Sequence, residues 1–106
     1  MNLPDKLHDC EIDGYRYYRE SEVFELYLHG REPLRFDQTV FFDIDGAALQ
    51  NVIFEIRHYP ARRCPPVLVE DFPDLAFYQS HPQPHDVYHI APSAGLAAVI
   101  VCRQAA

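Results

Sequence analysis

The sequence predicts a mainly β fold, a small antiparallel β-sandwich or curled β-sheet with one short helix. Three observations carry this expectation. Residues 39–59, TVFFDIDGAALQNVIFEIRHY, alternate apolar and polar side chains on both sides of a polar turn, the period-2 pattern of strands with one face on a core. No run of ten or more residues shows helical periodicity. The 106 residues are 48% apolar and hold fourteen Phe and Tyr but no Trp, a folded composition of single-domain size.

The central stretch reads as a hairpin. Val40, Phe42 and Ile44, then Val52, Phe54 and Ile56, supply the apolar stripe, while Asp43, Asp45, Glu55 and Arg57 occupy the opposite face. Asp45-Gly46 offers turn chemistry and Gln50-Asn51 a polar exit. Upstream, residues 1–8 are a polar lead-in broken by Pro4. Residues 9–19 form a first strand, where Cys10 and Ile12 differ in parity from Tyr15 and Tyr17 and Gly14 marks a bulge that shifts the phase. Residues 23–29 form a second strand with Phe24, Leu26 and Leu28 on one face. Leu34 and Phe36 follow a loop and lead into the hairpin.

Beyond Tyr59, the prolines at 60, 65 and 66 exclude a central strand or a helix interior. Residues 67–69 suit a short strand. Residues 71–79 suit the single helix, with Pro73 near its start and Leu75, Phe77 and Tyr78 pinning it to the sheet. A Pro/His loop at 80–85 precedes a last strand pair, 86–91 and 96–103. The second of these is apolar on both parities and therefore central.

Sixteen acidic against nine basic residues give a net charge of −7, which disfavours nucleic acid and favours a basic partner. Residues 1–25 hold seven acids and three bases, whereas residues 57–69 hold three arginines and no acid. Three irregularly spaced cysteines, Cys10, Cys64 and Cys102, make no disulfide framework and fit reduced thiols in a cytoplasmic protein. The opening residues lack the apolar run of a signal peptide, and the longest apolar run, 95–102, is too short to span a bilayer. No membrane contact is expected.

The order Leu7-His8-Asp9, Ile12, a tyrosine-rich strand, a Val/Leu-rich strand, Leu34-x-Phe36 and Asn51-Val52-Ile53 resembles small bacterial β-domains of unknown function, some encoded among toxin-immunity genes. The resemblance covers residues 7–56. It implies a β-meander and assigns no active site.

Residues 41–46, FFDIDG, resemble the first motif of haloacid-dehalogenase-type phosphatases, in which the first aspartate is the nucleophile and the second a general acid beside magnesium. Asp43 and Asp45 would hold those roles. Ala47 stands where that motif has threonine, the only lysine, Lys6, precedes the motif, and no parallel sheet flanked by helices is in prospect. The aspartates are read instead as the polar side of a strand.

His81, His85 and His89 recur every four residues. On an extended chain such neighbours sit roughly 13 Å apart, whereas two zinc-bound nitrogens lie roughly 3–3.5 Å apart. Pro82 and Pro84 forbid the helix that would gather them. Cys64 beside Arg62 and Arg63 lacks an identifiable base, so it is not read as a nucleophile. No catalytic residue, metal ligand or cofactor is assigned.

The expectation is a non-enzymatic protein-binding module, immunity-like or inhibitory, using an acidic, Tyr-bearing sheet face: Tyr15, Tyr17, Glu25, Tyr27, Asp43 and Glu55. Two alternatives stand beside it. One is a small-ligand or metal-binding β-barrel with His58, His81, His85 and His89 at its mouth; the other is an accessory homodimer pairing exposed sheet edges.

Overall fold

The computed structural model describes residues 3–104. Seven strands form two antiparallel sheets. β1 (Ile12–Tyr18), β2 (Val23–Leu28) and β3 (Leu34–Phe36) make a three-stranded meander. β4 (Thr39–Asp45), β5 (Val52–Pro60), β6 (His85–Ala94) and β7 (Ala97–Arg103) make a four-stranded sheet in the order β4-β7-β6-β5. The sandwich is open; the strands do not close into a barrel.

β4 and β5 are not neighbours. β4 pairs with β7 and β5 with β6, so the expected 39–59 hairpin is split by the β6–β7 hairpin inserted between its arms. The loop at 46–51 crosses the end of that insert. Asn51 Oδ1 accepts from the Ala48 and Leu96 N–H groups at 2.9 Å each, and the Asn51 amide donates to the Ala48 carbonyl. The charged positions do share one face, but across two intervening strands: Asp43 pairs with Val99, Val99 with His89, and His89 with Arg57.

The two sheets enclose the main core. Phe24, Leu26, Leu28 and Phe36 meet Ile53, Tyr88, Ile90, Ala98 and Ile100. β1 crosses the larger sheet obliquely: Glu11, at its entry, bridges Val52 of β5, while Tyr15 and Tyr17 lie against Phe42 of β4. The register of β1 slips between Ile12 and Gly14, as the sequence predicts, and this turns Tyr15 and Tyr17 onto the same inward face as Ile12.

The opposite face of the four-stranded sheet carries a second core under a short helical cap. A 3-10 turn (Ala61–Arg63), α1 (Pro66–Asp71) and α2 (Leu75–Gln79) set Ala61, Cys64, Leu68, Phe72 and Leu75 on Val87, Val99 and Val101. β7 is therefore buried on both sides, with residues 98–101 fully inaccessible.

Residues 67–69 belong to α1 rather than to a strand, because Pro66 starts a helix where its missing N–H costs nothing. The expected helix at 71–79 is correspondingly two helices. Phe72 leaves helical geometry at φ −131°, as the residue before Pro73 is driven to do. The stripe Val52, Phe54, Ile56 breaks at Phe54, while Ile56 packs against the main core. Register slips on both sides of Ile53 bury that residue and leave Phe54 47% exposed. A slip between Thr39 and Phe41 likewise moves Val40 to the helical side, while Phe42 and Ile44 face the main core as expected.

Candidate interaction surface

The six expected contact residues lie on three surfaces. Tyr15 and Tyr17 point inward at the rim of the sandwich. Tyr15 stacks on Phe24 with centroids 5.5 Å apart, Tyr17 tilts over Phe42 at 5.2 Å, and the Tyr17 hydroxyl donates to the Thr39 carbonyl at 3.0 Å. Tyr15 remains 46% exposed. Asp43 follows Phe42 on β4 and turns to the helical side, so it borders the same strand edge as the two tyrosines, along one seam, but from the opposite face.

Glu25 and Tyr27 occupy the outer face of β2, the central strand of the meander. Glu25 pairs across to Arg16 and Arg35, and the Tyr27 hydroxyl donates to Glu25 at 3.1 Å. The neighbouring Tyr18 hydroxyl, partial desolvation and the Glu25 carboxylate together push the Tyr27 hydroxyl up to about 12. Arg16 stacks over Tyr18 at 4.5 Å. Glu55 lies on β5, at the far side of the larger sheet, and is held by Arg57, whose Nε donates to it at 2.6 Å.

The seam follows a free edge of the larger sheet. β4 is an edge strand, so every second residue turns its N–H and C=O away from β7. Among the described residues, the only hydrogen bonds reaching that edge are at its start, where the Thr39 N–H donates to the Glu22 carbonyl and Tyr17 donates to the Thr39 carbonyl. Phe42 and Ile44 are half-buried beside it, and neither Asp43 nor Asp45 has an ion-pair partner among the described residues. Phe42 was legible only as a core residue. What makes it accessible is the edge position of β4, which periodicity does not encode.

The histidines divide between two faces. His58 stacks on Tyr88 with centroids 4.9 Å apart and its Nε2 meets Asp86 at 2.7 Å, on the side facing the meander. His81, His85 and His89 lie on the helical side. Only His81 and His85 meet, with ring centroids 4.8 Å apart, and no group of three metal-binding side chains forms among the described residues. The histidine-lined barrel mouth is therefore absent as a geometry.

A crevice of about 340 Å³ between β3 and β6 is lined by Arg35, Asp37, Asp86, Tyr88 and Arg103. Its ionic groups are engaged with one another or with near neighbours: Arg35 with Asp37 at 2.9 Å, Asp86 with His58, and Arg103 with Glu22 at 3.0 Å. The Cys102 thiol beside it is pushed up to about 11 by burial, and burial also raises the Cys64 thiol. Both stay protonated at neutral pH and are poor nucleophiles.

No family model, curated protein or solved structure matches this chain. Every strand pair is antiparallel, so Asp43 and Asp45 sit outside the parallel-sheet setting that the phosphatase motif requires. No helix among the described residues is long and apolar enough to cross a membrane.

Proposed function

We propose that this chain is a protein-binding module, immunity-like or inhibitory, that takes an extended basic segment of its partner along the free edge of β4. The observation that carries the reading is the seam itself: unpaired backbone groups, a half-exposed aromatic pad of Tyr15, Tyr17 and Phe42, and two unpaired carboxylates. An added strand gains main-chain hydrogen bonds from such an edge, and its alternate side chains supply specificity. Apolar residues of the segment would meet the aromatic pad, and Lys or Arg residues would meet Asp43 and Asp45.

The same carboxylates weigh against the homodimer. Antiparallel self-pairing of β4 centred on Asp43 or Ile44 sets aspartates directly opposite one another, and like charges so placed are destabilising.

The test is capture from an extract of the native cell at low ionic strength, comparing the natural chain with Asp43→Lys/Asp45→Lys and with Tyr15→Ala. The expected result is a partner retained by the natural chain, released at high salt, and lost or strongly weakened with both variants. Retention of the same proteins at the same level by the charge-reversed variant would remove the proposal.

A further inference from the structure

Between α2 and β6 the chain runs Ser80-His81-Pro82-Gln83-Pro84-His85, and this loop ties the helical cap to the sheet. Its hydrogen bonds specify proton positions. The Gln83 N–H donates to His81 Nδ1 at 3.0 Å, so that nitrogen must carry a lone pair. His85 Nδ1 lies 3.0 Å from the Gln83 carbonyl and donates to it, so its proton is on Nδ1. The two rings meet edge to face at 4.8 Å. His85 is only 4% exposed and packs against Tyr78 of α2 at 5.0 Å, while His81 packs against Phe77 at 5.6 Å.

The charged groups around the pair are mainly cationic. Arg62, on the 3-10 turn, donates to the His81 and Pro82 carbonyls at 3.0 and 3.3 Å. Arg62 and Arg63 line the same cleft as His85, and Arg103 is its cross-strand partner on β7. Two carboxylates are nearby: Asp86 is engaged by His58 and by the Gln104 amide, and Glu22 by Arg103. A proton on His85 would place a charge in a buried site beside a second imidazole and arginines. Burial is the largest influence and lowers the affinity of His85 for that proton; the Gln83 carbonyl opposes it, His81 and Arg103 lower it further, and Asp86 raises it.

We propose that buried His85, seated against His81 and Tyr78, is an acid-sensitive latch that fastens α1 and α2 over Val87, Val99 and Val101 at neutral pH and releases this cap when its ring becomes charged. The cap is suited to independent opening. Its two helices are one to two turns long, and it packs on its own core, separate from the one between the sheets.

Amide hydrogen exchange by NMR tests this, with intrinsic rates corrected for pH. The probes are Leu68, Phe72 and Leu75 in the cap, whose N–H groups bond to Pro65, Leu68 and Phe72 carbonyls, against Phe24 and Leu26 in β2. Between pH 7.5 and 5.0 the cap amides should lose at least about tenfold in protection while the β2 amides stay better protected than the cap. His81→Asn keeps an acceptor for the Gln83 N–H without titrating, and His85→Phe keeps a ring against Tyr78. His85→Phe, alone and in the double variant, should lose several-fold less cap protection than the natural chain across the same interval, the remaining loss coming from His89, which packs on Phe72. The latch is refuted if the natural cap keeps its protection at pH 5.0, if cap and β2 amides exchange with equal protection at both pH values, or if the variants lose protection as fully as the natural chain.

Discussion

Gly95 and Asn51 decide whether the split hairpin can exist at all. Gly95 sits at φ +73°, and a Cβ there would lie 2.3 Å from Asn51 Oδ1 and 2.5 Å from the Gln50 carbonyl. A side chain would therefore meet both a left-handed backbone and the atom that accepts from Leu96 and Ala48. Gly95→Ala is expected to lower stability by roughly 2 kcal/mol or more, measured by denaturant titration. Asn51→Ala should cost about 1 kcal/mol, because it leaves the part-buried Leu96 N–H without its acceptor. Gly30→Ala is the control: it has a similar φ of +68° but nothing within 4 Å of the added carbon, so its cost should be the smaller. In the sequence, Asn51 is only a polar loop exit and Gly95 a turn residue. Their pairing spans 44 positions and leaves no local trace.

Strand faces were far more legible than strand neighbours. Alternation fixes which side chains share a face, since a slip of one residue inverts them all. That is why Phe24, Leu26 and Leu28, the central position of β7 and the shared face of Asp43 and Arg57 could be read directly. Alternation does not say which strand lies alongside. The six-residue connection after β4 was long enough to admit two more strands, and the bulges in β4 and β5 moved Val40 and Phe54 off their expected faces. The seam escaped for the same reason, because it depends on β4 being an edge. The contrast between centre and edge gives a prediction. Ile100, fully buried in β7, should lose about 3 kcal/mol on Ile100→Ala. Ile44, half-buried on β4, should lose about half that for the same chemical change. Equal losses from the two variants in denaturant titrations would show that β4 is as enclosed as β7, and the proposed binding seam would then lack an open side.

For the whole molecule, the shifted groups place the stability maximum around neutral pH. Burial, its largest cause, lowers His89, which also faces Arg57; His85 is lowered chiefly by burial too. A histidine lowered in the folded state binds more protons when unfolded, over the interval between its folded value and the ordinary 6.5. Stability should therefore be intact above about 6.5 and fall as the pH drops through that interval. Glu22 and Glu55, lowered by their hydrogen bonds to Arg103 and Arg57, add losses of the same sign below the ordinary 4.5. On the alkaline side, Cys64 and Cys102 are raised by burial from 9.0. The unfolded chain then gives up those protons first, and stability should decline again above about 9. The expected profile is a plateau from about pH 6.5 to 9 with a fall on either side, followed by denaturant midpoints at several pH values. His85→Phe and His89→Leu should each flatten the limb between pH 5 and 6.5 and leave the alkaline limb unchanged. An acid limb as steep in both variants as in the natural chain would mean that neither histidine is held neutral by the folded structure, and the pH response would then have to come from the carboxylates alone.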